Sequence, residues 1–238
     1  MGMEPAKPVA RSRTLALETW PPLCSTPGER ALWLRPSRAS SPLPKRIIDV
    51  TLAAPLLVLA SPVLLLAMAL VKLTSRGPAM LVQTRIGYAC GEFGMYKLRT
   101  MVAGADRLEG RLAETCRDRT FLKIENDPRV TAVGRLLRKL SIDELPQLYN
   151  VLRGEMSLVG PRPLLPCDFQ RFPRQEQMRR FAVRPGITGL WQVRGRSRCS
   201  DAERIRLDLE YVDRRSLWLD LRILARTIPV VFSARGAY

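Results

Sequence analysis

From Val50 to Val71 the chain runs 22 residues without a charge, and no polar stripe recurs within the run. Leu52-Ala53-Ala54-Pro55-Leu56-Leu57-Val58-Leu59-Ala60 is apolar on every side, whereas a helix of a soluble domain usually keeps one polar face. A stretch of roughly 20 apolar residues matches the hydrocarbon thickness of a bilayer. Lys45 and Arg46 precede the run and Lys72 and Arg76 follow it. Lysine and arginine mark the cytoplasmic side, so both ends read as cytoplasmic. Near the centre Pro62 removes a backbone donor, and the Ser61 hydroxyl is placed to serve the carbonyl that this frees. Two topologies fit this pattern: a re-entrant helix that breaks at Ser61-Pro62 and returns to the same face, or a kinked span.

Residues 1 to 44 hold many prolines and serines with arginines and no sustained period, which predicts a flexible basic leader and no signal peptide. After the apolar run, Ala79 to Gln83 reads as a strand ending at Thr84-Arg85-Ile86-Gly87. Gly91 to Gly94 reads as a turn and Met95 to Met101 as the paired strand, giving a β-hairpin. Met101 to about Arg117 has a helical pattern, and Asn126-Asp127-Pro128-Arg129 breaks it. Val133 to Arg138 is a basic amphipathic helix, and Leu145 to Leu152 is a further short helix, stopped by Gly154. Between Arg204 and about Val231 apolar residues recur at helical spacing among arginines, as in helices that lie on a membrane or pack on a core. The expected fold is α+β and mainly helical: a leader at 1–44, a re-entrant membrane helix at 45–76, and a cytosolic domain at 77–238. That domain has a small hairpin and amphipathic interfacial helices around its core.

The net charge of +17, from 39 basic and 22 acidic residues, calls for an anionic partner. No helix-turn-helix, zinc-finger or aromatic-rich RNA motif accompanies it, which argues against nucleic acid. Anionic headgroups and phosphorylated substrates suit the apolar run better. The 238 residues include no histidine, which excludes histidine triads, metal ligands and acid/base groups. The five cysteines are scattered without a Cys-x-x-Cys pair, against a zinc or redox site.

Chemistry must then rest on carboxylates, arginine, lysine, hydroxyls, thiols or a metal held by oxygen. The densest constellation is Arg138-Lys139-Leu140-Ser141-Ile142-Asp143-Glu144-Leu145-Pro146-Gln147. Ser141 and Glu144 have the spacing of a capping box, which would make the acids structural. Alternatively one carboxylate is a nucleophile or Mg²⁺ ligand, its neighbour orients metal or proton, and Arg138 neutralises phosphate. In Gly160-Pro161-Arg162-Pro163 the prolines would fix the backbone and aim the guanidinium at a phosphate, or form a rigid surface turn. The block Arg184 to Ser197 places glycines and arginines around Trp191, suited to phosphate and base contacts or to an ordinary packed loop.

Lys45-Arg46-x-x-Asp49 before the Ser-Pro-interrupted helix, Gln83-x-Arg85-x-Gly87, Lys97-x-Arg99-Thr100-Met101, Asp143-Glu144-Leu145-Pro146-Gln147, Gly160-Pro161-Arg162-Pro163 and Pro185-Gly186-Ile187-Thr188-Gly189 follow one another in order. Together they resemble the bacterial sugar transferases, the monotopic phosphoglycosyl transferases that act on polyprenol phosphate. The resemblance runs from about residue 45 to the C-terminus.

It implies transfer of a sugar-1-phosphate from a nucleotide (UDP) sugar to undecaprenyl phosphate through a phosphosugar-aspartyl intermediate. Such a step initiates exopolysaccharide, O-antigen, capsule or glycoprotein glycan assembly. Asp143 would be the nucleophile, with Glu144 beside it in metal binding or proton transfer and Mg²⁺ as cofactor. Arg138, Arg162 between Pro161 and Pro163, Lys97, Arg99, Arg85 and Arg196 would contact phosphates. Ser61, Pro62, Lys45, Arg46 and Asp49 would set the topology, with Asp49 ion-paired to Lys45 or Arg46. The expected place is the bacterial inner membrane with the catalytic domain on its cytosolic face, among inner-membrane lipids; homo-oligomerisation stays open. The competing class is a non-catalytic membrane-anchored adaptor for anionic lipid or an assembly partner.

Overall fold

In the computed structural model, residues 42–105, 127–169, 179–195 and 199–232 are described. The leader expected at 1–44 lies almost wholly outside them, as does most of the helix expected from Met101 to about Arg117. Met101 itself pairs with Val130 in an isolated bridge.

Helix α1 runs Pro42–Thr74 and includes Pro55 and Pro62. Its helical backbone continues through Ser61-Pro62, where the sequence suggested a break. The reason is local: Pro62 cannot donate to the Val58 carbonyl four residues back, and Ser61 Oγ donates to that oxygen at 2.7 Å. Among the described residues this is the one helix long and apolar enough to cross a membrane. Ala53, Leu64, Ala67 and Val71 are buried against the rest of the protein, while Val58, Leu59, Leu65, Leu66 and Leu73 are exposed.

Both ends of α1 are gripped by the same body. At the start, Lys45 Nζ pairs with Asp220 at 2.7 Å, and Arg46 donates to the carbonyls of Val151 and Leu152. Buried Asp49 accepts from Ser157 Oγ and Leu158 N, both at 3.0 Å. The expected pairing of Asp49 with Lys45 or Arg46 does not occur, because each of the three has a partner in the body. At the far end, Arg99 donates to the carbonyls of Ser75 and Arg76 at 2.8 and 2.7 Å.

The hairpin pairs β1 (Met80–Ile86) with β2 (Glu92–Leu98) in the register Met80↔Leu98 to Ile86↔Glu92. The turn falls at 87–91 and not at Gly91–Gly94, which belongs to β2 apart from its first glycine. Gly87 N donates to Gly91 O, and Ala89 and Cys90 take positive φ to close this short connection. The second edge of β2 is closed by a side chain. Asn150 accepts from Tyr96 N at 3.0 Å and donates to Gly94 O at 2.7 Å, standing in for a third strand.

Helix α2 (Ala132–Lys139) is capped by Thr131, whose hydroxyl accepts from Gly134 N. Helix α3 (Gln147–Arg153) ends at Gly154, whose φ of 81 suits glycine. A short parallel pair follows that the sequence did not suggest, β3 (Ser157–Val159) with β4 (Gly186–Thr188). Between them lies α4 (Pro166–Phe169), and after them α5 (Leu190–Arg194). The periodic C-terminal stretch is two helices, α6 (Asp201–Arg214) and α7 (Leu217–Phe232). Helix α6 packs on the core through Ile205, Leu207, Tyr211 and Val212, and α7 buries Ile223 while exposing Trp218, Leu221 and Ile228.

The main core gathers Ala53 of α1 with Leu148, Val151, Met156, Val159, Tyr211 and Ile223, so the membrane-type helix is built into the same core as the globular part. Each fully buried aliphatic side chain contributes roughly 1.5–3 kcal/mol.

Candidate active site

Asp143 and Glu144 occupy a 3-10 turn, Ile142–Glu144, between α2 and α3. The capping box does not form: Ser141 sits at φ 56, ψ 20 and makes no side-chain cap bond, and Glu144 reaches away to Arg162. Asp143 is 2% exposed. Its Oδ2 lies 2.9 Å from Lys97 Nζ, and its Oδ1 has no hydrogen-bond partner among the described residues. Glu144 Oε1 accepts from Arg162 Nη2 at 2.7 Å and lies 3.9 Å from Lys97 Nζ. Burial alone would raise the Glu144 pKa; the Arg162 and Lys97 charges outweigh it and hold the carboxyl at about 2. Glu144 is therefore ionised across the physiological range.

The surrounding cations come from four elements. Lys97 is on β2 and Arg85 on β1, with Nη1 donating to Pro163 O at 3.3 Å. Arg138 is near the end of α2; its Nε donates to Thr100 Oγ1 at 2.9 Å, and its Nη atoms have no hydrogen-bond partner among the described residues. Burial lowers the Arg138 pKa, against the pull of Asp143 and Asp127. Arg162 projects from the Pro161–Pro163 loop after β3, where prolines leave few backbone donors. The loop is held by its carbonyls instead: Gly186 N donates to Pro161 O, Arg180 to Arg162 O, Arg85 to Pro163 O, and Ile86 N to Leu164 O. Arg162 thus aims at Glu144 rather than at open solvent.

Three expectations change. Arg99, expected at a phosphate, is 4% exposed and spends its Nη atoms on carbonyls at the end of α1. The glycines of the 186–189 block serve close backbone packing, since a Cβ on Gly186 would collide with Gly160 N and one on Gly189 with Gly160 O. Trp191 packs on the core with the Arg204 guanidinium 5.0 Å from its ring centre. Arg196 lies outside the described residues. Ser61, Pro62, Lys45, Arg46 and Asp49 all belong to α1, and Lys45, Arg46 and Asp49 spend their side chains on its anchorage.

No group of three or more His, Cys, Asp or Glu side chains gathers among the described residues, so a site built wholly of protein ligands is not found there. Mg²⁺ needs less than that, because it commonly takes one or two carboxylates and completes its shell with water and substrate phosphate. Asp143 and Glu144 each keep one oxygen without a protein partner among the described residues, which fits that demand.

The profile of the family described as Bacterial sugar transferase matches residues 40–234, from the start of α1 through α7. The chain belongs to the bacterial sugar transferase family. It is 44% identical over 199 residues to the exopolysaccharide production protein ExoY of Rhizobium meliloti, covering 82% of this chain and 88% of that protein. It is 43% identical over 223 residues to the UDP-glucose:undecaprenyl-phosphate glucose-1-phosphate transferase of Caulobacter vibrioides, covering 89% and 80%. The undecaprenyl-phosphate galactose phosphotransferase of Salmonella typhimurium is 40% identical over 211 residues, which is 85% of this chain and 43% of that longer protein.

In this bacterial sugar transferase two polar residues near the site escaped the sequence reading. Arg180 and Asp208 form a buried pair at 2.6 Å, and Arg180 also donates to Arg162 O at 2.9 Å. Burial lifts the Asp208 carboxyl to about 6, against the pull of Arg180, Arg162 and Arg204. One signal was available. Asp208 falls on the apolar face of α6, three residues after Ile205 and four before Val212, where a lone acid needs a partner.

Proposed function

We propose that this family member moves a sugar-1-phosphate from a nucleotide diphosphate-sugar, with uridine as the base, to undecaprenyl phosphate, and that Asp143 carries the phosphosugar in between. The observation that carries this reading is the state of Asp143: buried, with one oxygen paired to Lys97 and the other without a partner among the described residues. The undecaprenyl-phosphate transferases of Caulobacter and Salmonella among its relatives support the substrate class.

In the first step Asp143 Oδ1 attacks the sugar-linked phosphorus. The new O–P bond forms as the bond from that phosphorus to the bridging oxygen breaks, and the nucleoside monophosphate leaves with the electron pair. In the second step an oxygen of the lipid phosphate attacks the same phosphorus, the Asp143 O–P bond breaks, and polyprenol diphosphate-sugar departs with the carboxylate restored. The lipid phosphate attacks as its dianion, so no proton has to be removed, and Glu144, with its carboxyl at about 2, stays a carboxylate throughout. Lys97 offsets the Asp143 charge so that an anion can approach a phosphate. Arg138 and Arg162 neutralise phosphate oxygens as charge moves, the kind of electrostatic help that phosphoryl transfer uses most. Mg²⁺ held by Glu144 and Asp143 would supply further positive charge against the diphosphate.

A lipid substrate requires the site to meet the bilayer. Both ends of α1 are fixed to one body. A straight helix of 33 residues is roughly 50 Å long, enough to put its ends on opposite sides of a hydrocarbon core about 30 Å thick. The shared anchorage supports a helix whose two ends stay on the cytosolic face of the inner membrane, with residues 77–238 beside it, in a step that starts exopolysaccharide assembly.

The test is release of nucleoside monophosphate by membranes containing the protein, given UDP-sugars, Mg²⁺ and undecaprenyl phosphate. Trapping of a radiolabelled phosphosugar on the unmodified protein but not on Asp143→Asn is the expected result. Equal labelling of both would overturn the nucleophile, and no release from any sugar nucleotide would point to the adaptor.

A further inference from the structure

Arg162 reaches Glu144 from a loop whose two prolines cannot donate, so something outside the loop must set its height. While Gly186 N, Arg85 and Ile86 N hold the carbonyls of Pro161, Pro163 and Leu164, the side chain on the carbonyl of Arg162 itself is Arg180. Its Nη2 donates both to Arg162 O at 2.9 Å and to Asp208 Oδ2 at 2.6 Å. Both side chains of the pair are 3% exposed. The contacts therefore form a line of four residues from four parts of the chain: Asp208 on α6, Arg180, the backbone and then the guanidinium of Arg162, and Glu144.

A buried ion pair is an expensive way to hold two elements together, and well-packed apolar residues often do so better. Apolar residues, however, cannot present a donor to a carbonyl. An arginine with one acid behind it offers a donor whose direction is fixed, since Asp208 on α6 limits where the guanidinium can swing. Helix α6 is itself well anchored, through Leu207, Tyr211 and Val212 in the main core and Ser200 as its cap. The rigid reference point for Arg162 is thus a helix that carries no residue of the site.

We propose that Arg180 and Asp208 are positioning residues, which set the reach of Arg162 to Glu144 and so act on turnover without touching substrate. This rests on the transferase reading above. Because the effect runs through Arg162, it should vanish where Arg162 can no longer do its work.

The experiment is a double-mutant cycle on membrane-embedded full-length protein, scored by nucleoside monophosphate release. Asp208→Asn, which keeps the shape and removes the charge, is expected to lower kcat about tenfold with KM for the UDP-sugar changed less than threefold. In an Arg162→Lys background, which keeps a cation but not the fork, the same substitution should cost less than twofold. Arg180→Lys is the second arm, expected to behave like Asp208→Asn in both backgrounds and serving alone if Asp208→Asn does not accumulate. A misplacement on the order of 1 Å costs up to about a hundredfold, so a tenfold loss is within reach of a small tilt of Arg162. If both substitutions cost the same factor with and without Arg162, they act through general stability and the proposal fails. If either leaves kcat unchanged in the unmodified background, it fails as well. Absence of release from the unmodified protein would instead overturn the transferase reading.

Discussion

Gly134 links fold to chemistry in a way that a single methyl group can test. It is buried on the inner face of α2, and a Cβ there would run into the carbonyl oxygen, carbon and Cα of Thr100. Those atoms are backbone and cannot swing aside, so Gly134→Ala must push α2 away from the strand end. Three bonds cross that contact: Thr131 N and Oγ1 donate to Thr100 O at 3.0 and 3.4 Å, and Arg138 Nε donates to Thr100 Oγ1 at 2.9 Å. Overpacking of this kind costs about 1–3 kcal/mol, and alanine returns about 1 kcal/mol as a better helix former. The net loss of stability is therefore about 0–2 kcal/mol, a fall of a few degrees in Tm. Activity should suffer far more, because Arg138 moves with the helix, and displacement on the order of 1 Å lowers turnover up to about a hundredfold. The assay is nucleoside monophosphate release beside a thermal melt in the same detergent, with Arg135→Ala on the exposed side of α2 as a silent control. Turnover of Gly134→Ala within threefold of the unmodified protein would refute the claim that the Thr100 contact sets Arg138.

Asp143→Asn should abolish release while leaving the thermal melt nearly unchanged; residual turnover above background would show another nucleophile. Ser61→Ala removes the hydroxyl that serves the Val58 carbonyl and should cost about 1 kcal/mol, read as a lower unfolding midpoint in bilayers. Pro62→Leu restores a backbone donor there and should favour a spanning helix, shifting the N-terminus to the far side in accessibility labelling; no shift would mean that proline does not set the topology. Arg162→Met bears on Glu144, whose folded pKa of about 2 lies below the ordinary 4.5. A depressed carboxylate pKa contributes stability that is full above about 4.5 and is lost as pH falls towards 2, at most about 3 kcal/mol here. The Tm gap between unmodified and Arg162→Met metal-free protein should therefore be widest near pH 6 and close on acidification, and a gap independent of pH would contradict the pairing.

What could be read from the sequence was local. The apolar run, the hairpin and the adjacent acids announce themselves through period, turn residues and spacing, and each lies where the pattern put it to within a few residues. What failed was non-local. The parallel pair β3/β4 has three residues per strand and depends on Gly160 and Gly186 meeting across 26 positions, which no period records. Ser141 has the spacing of a capping residue, yet tertiary packing puts it at φ 56, where it cannot cap. Arg99 and Arg138 look equally basic on the page; one meets the end of α1 and the other the site, and only the fold separates them. Asp208 was visible as an acid on an apolar face, but its partner was not.

The proposed chemistry gives a reason for a lysine at position 97. In the proposed reaction the nearly buried Asp143 carboxylate is touched by a cation and must still keep one oxygen available for attack. An ammonium is a point charge and engages Oδ2 alone, at 2.9 Å. A guanidinium is a planar fork that tends to take both oxygens of a carboxylate at once, as parallel hydrogen bonds. Lys97→Arg therefore keeps the charge and should still impair the enzyme, by tying up Oδ1 before a phosphorus can reach it. We expect kcat to fall at least tenfold with little change in Tm, and the loss to appear in the first step, as slower labelling of Asp143 under single turnover. Lys97→Met should be slower still, because the carboxylate then loses its nearest counter-charge. If Lys97→Arg labels Asp143 at the unmodified rate, the availability of Oδ1 is not what position 97 protects, and the lysine acts by charge alone.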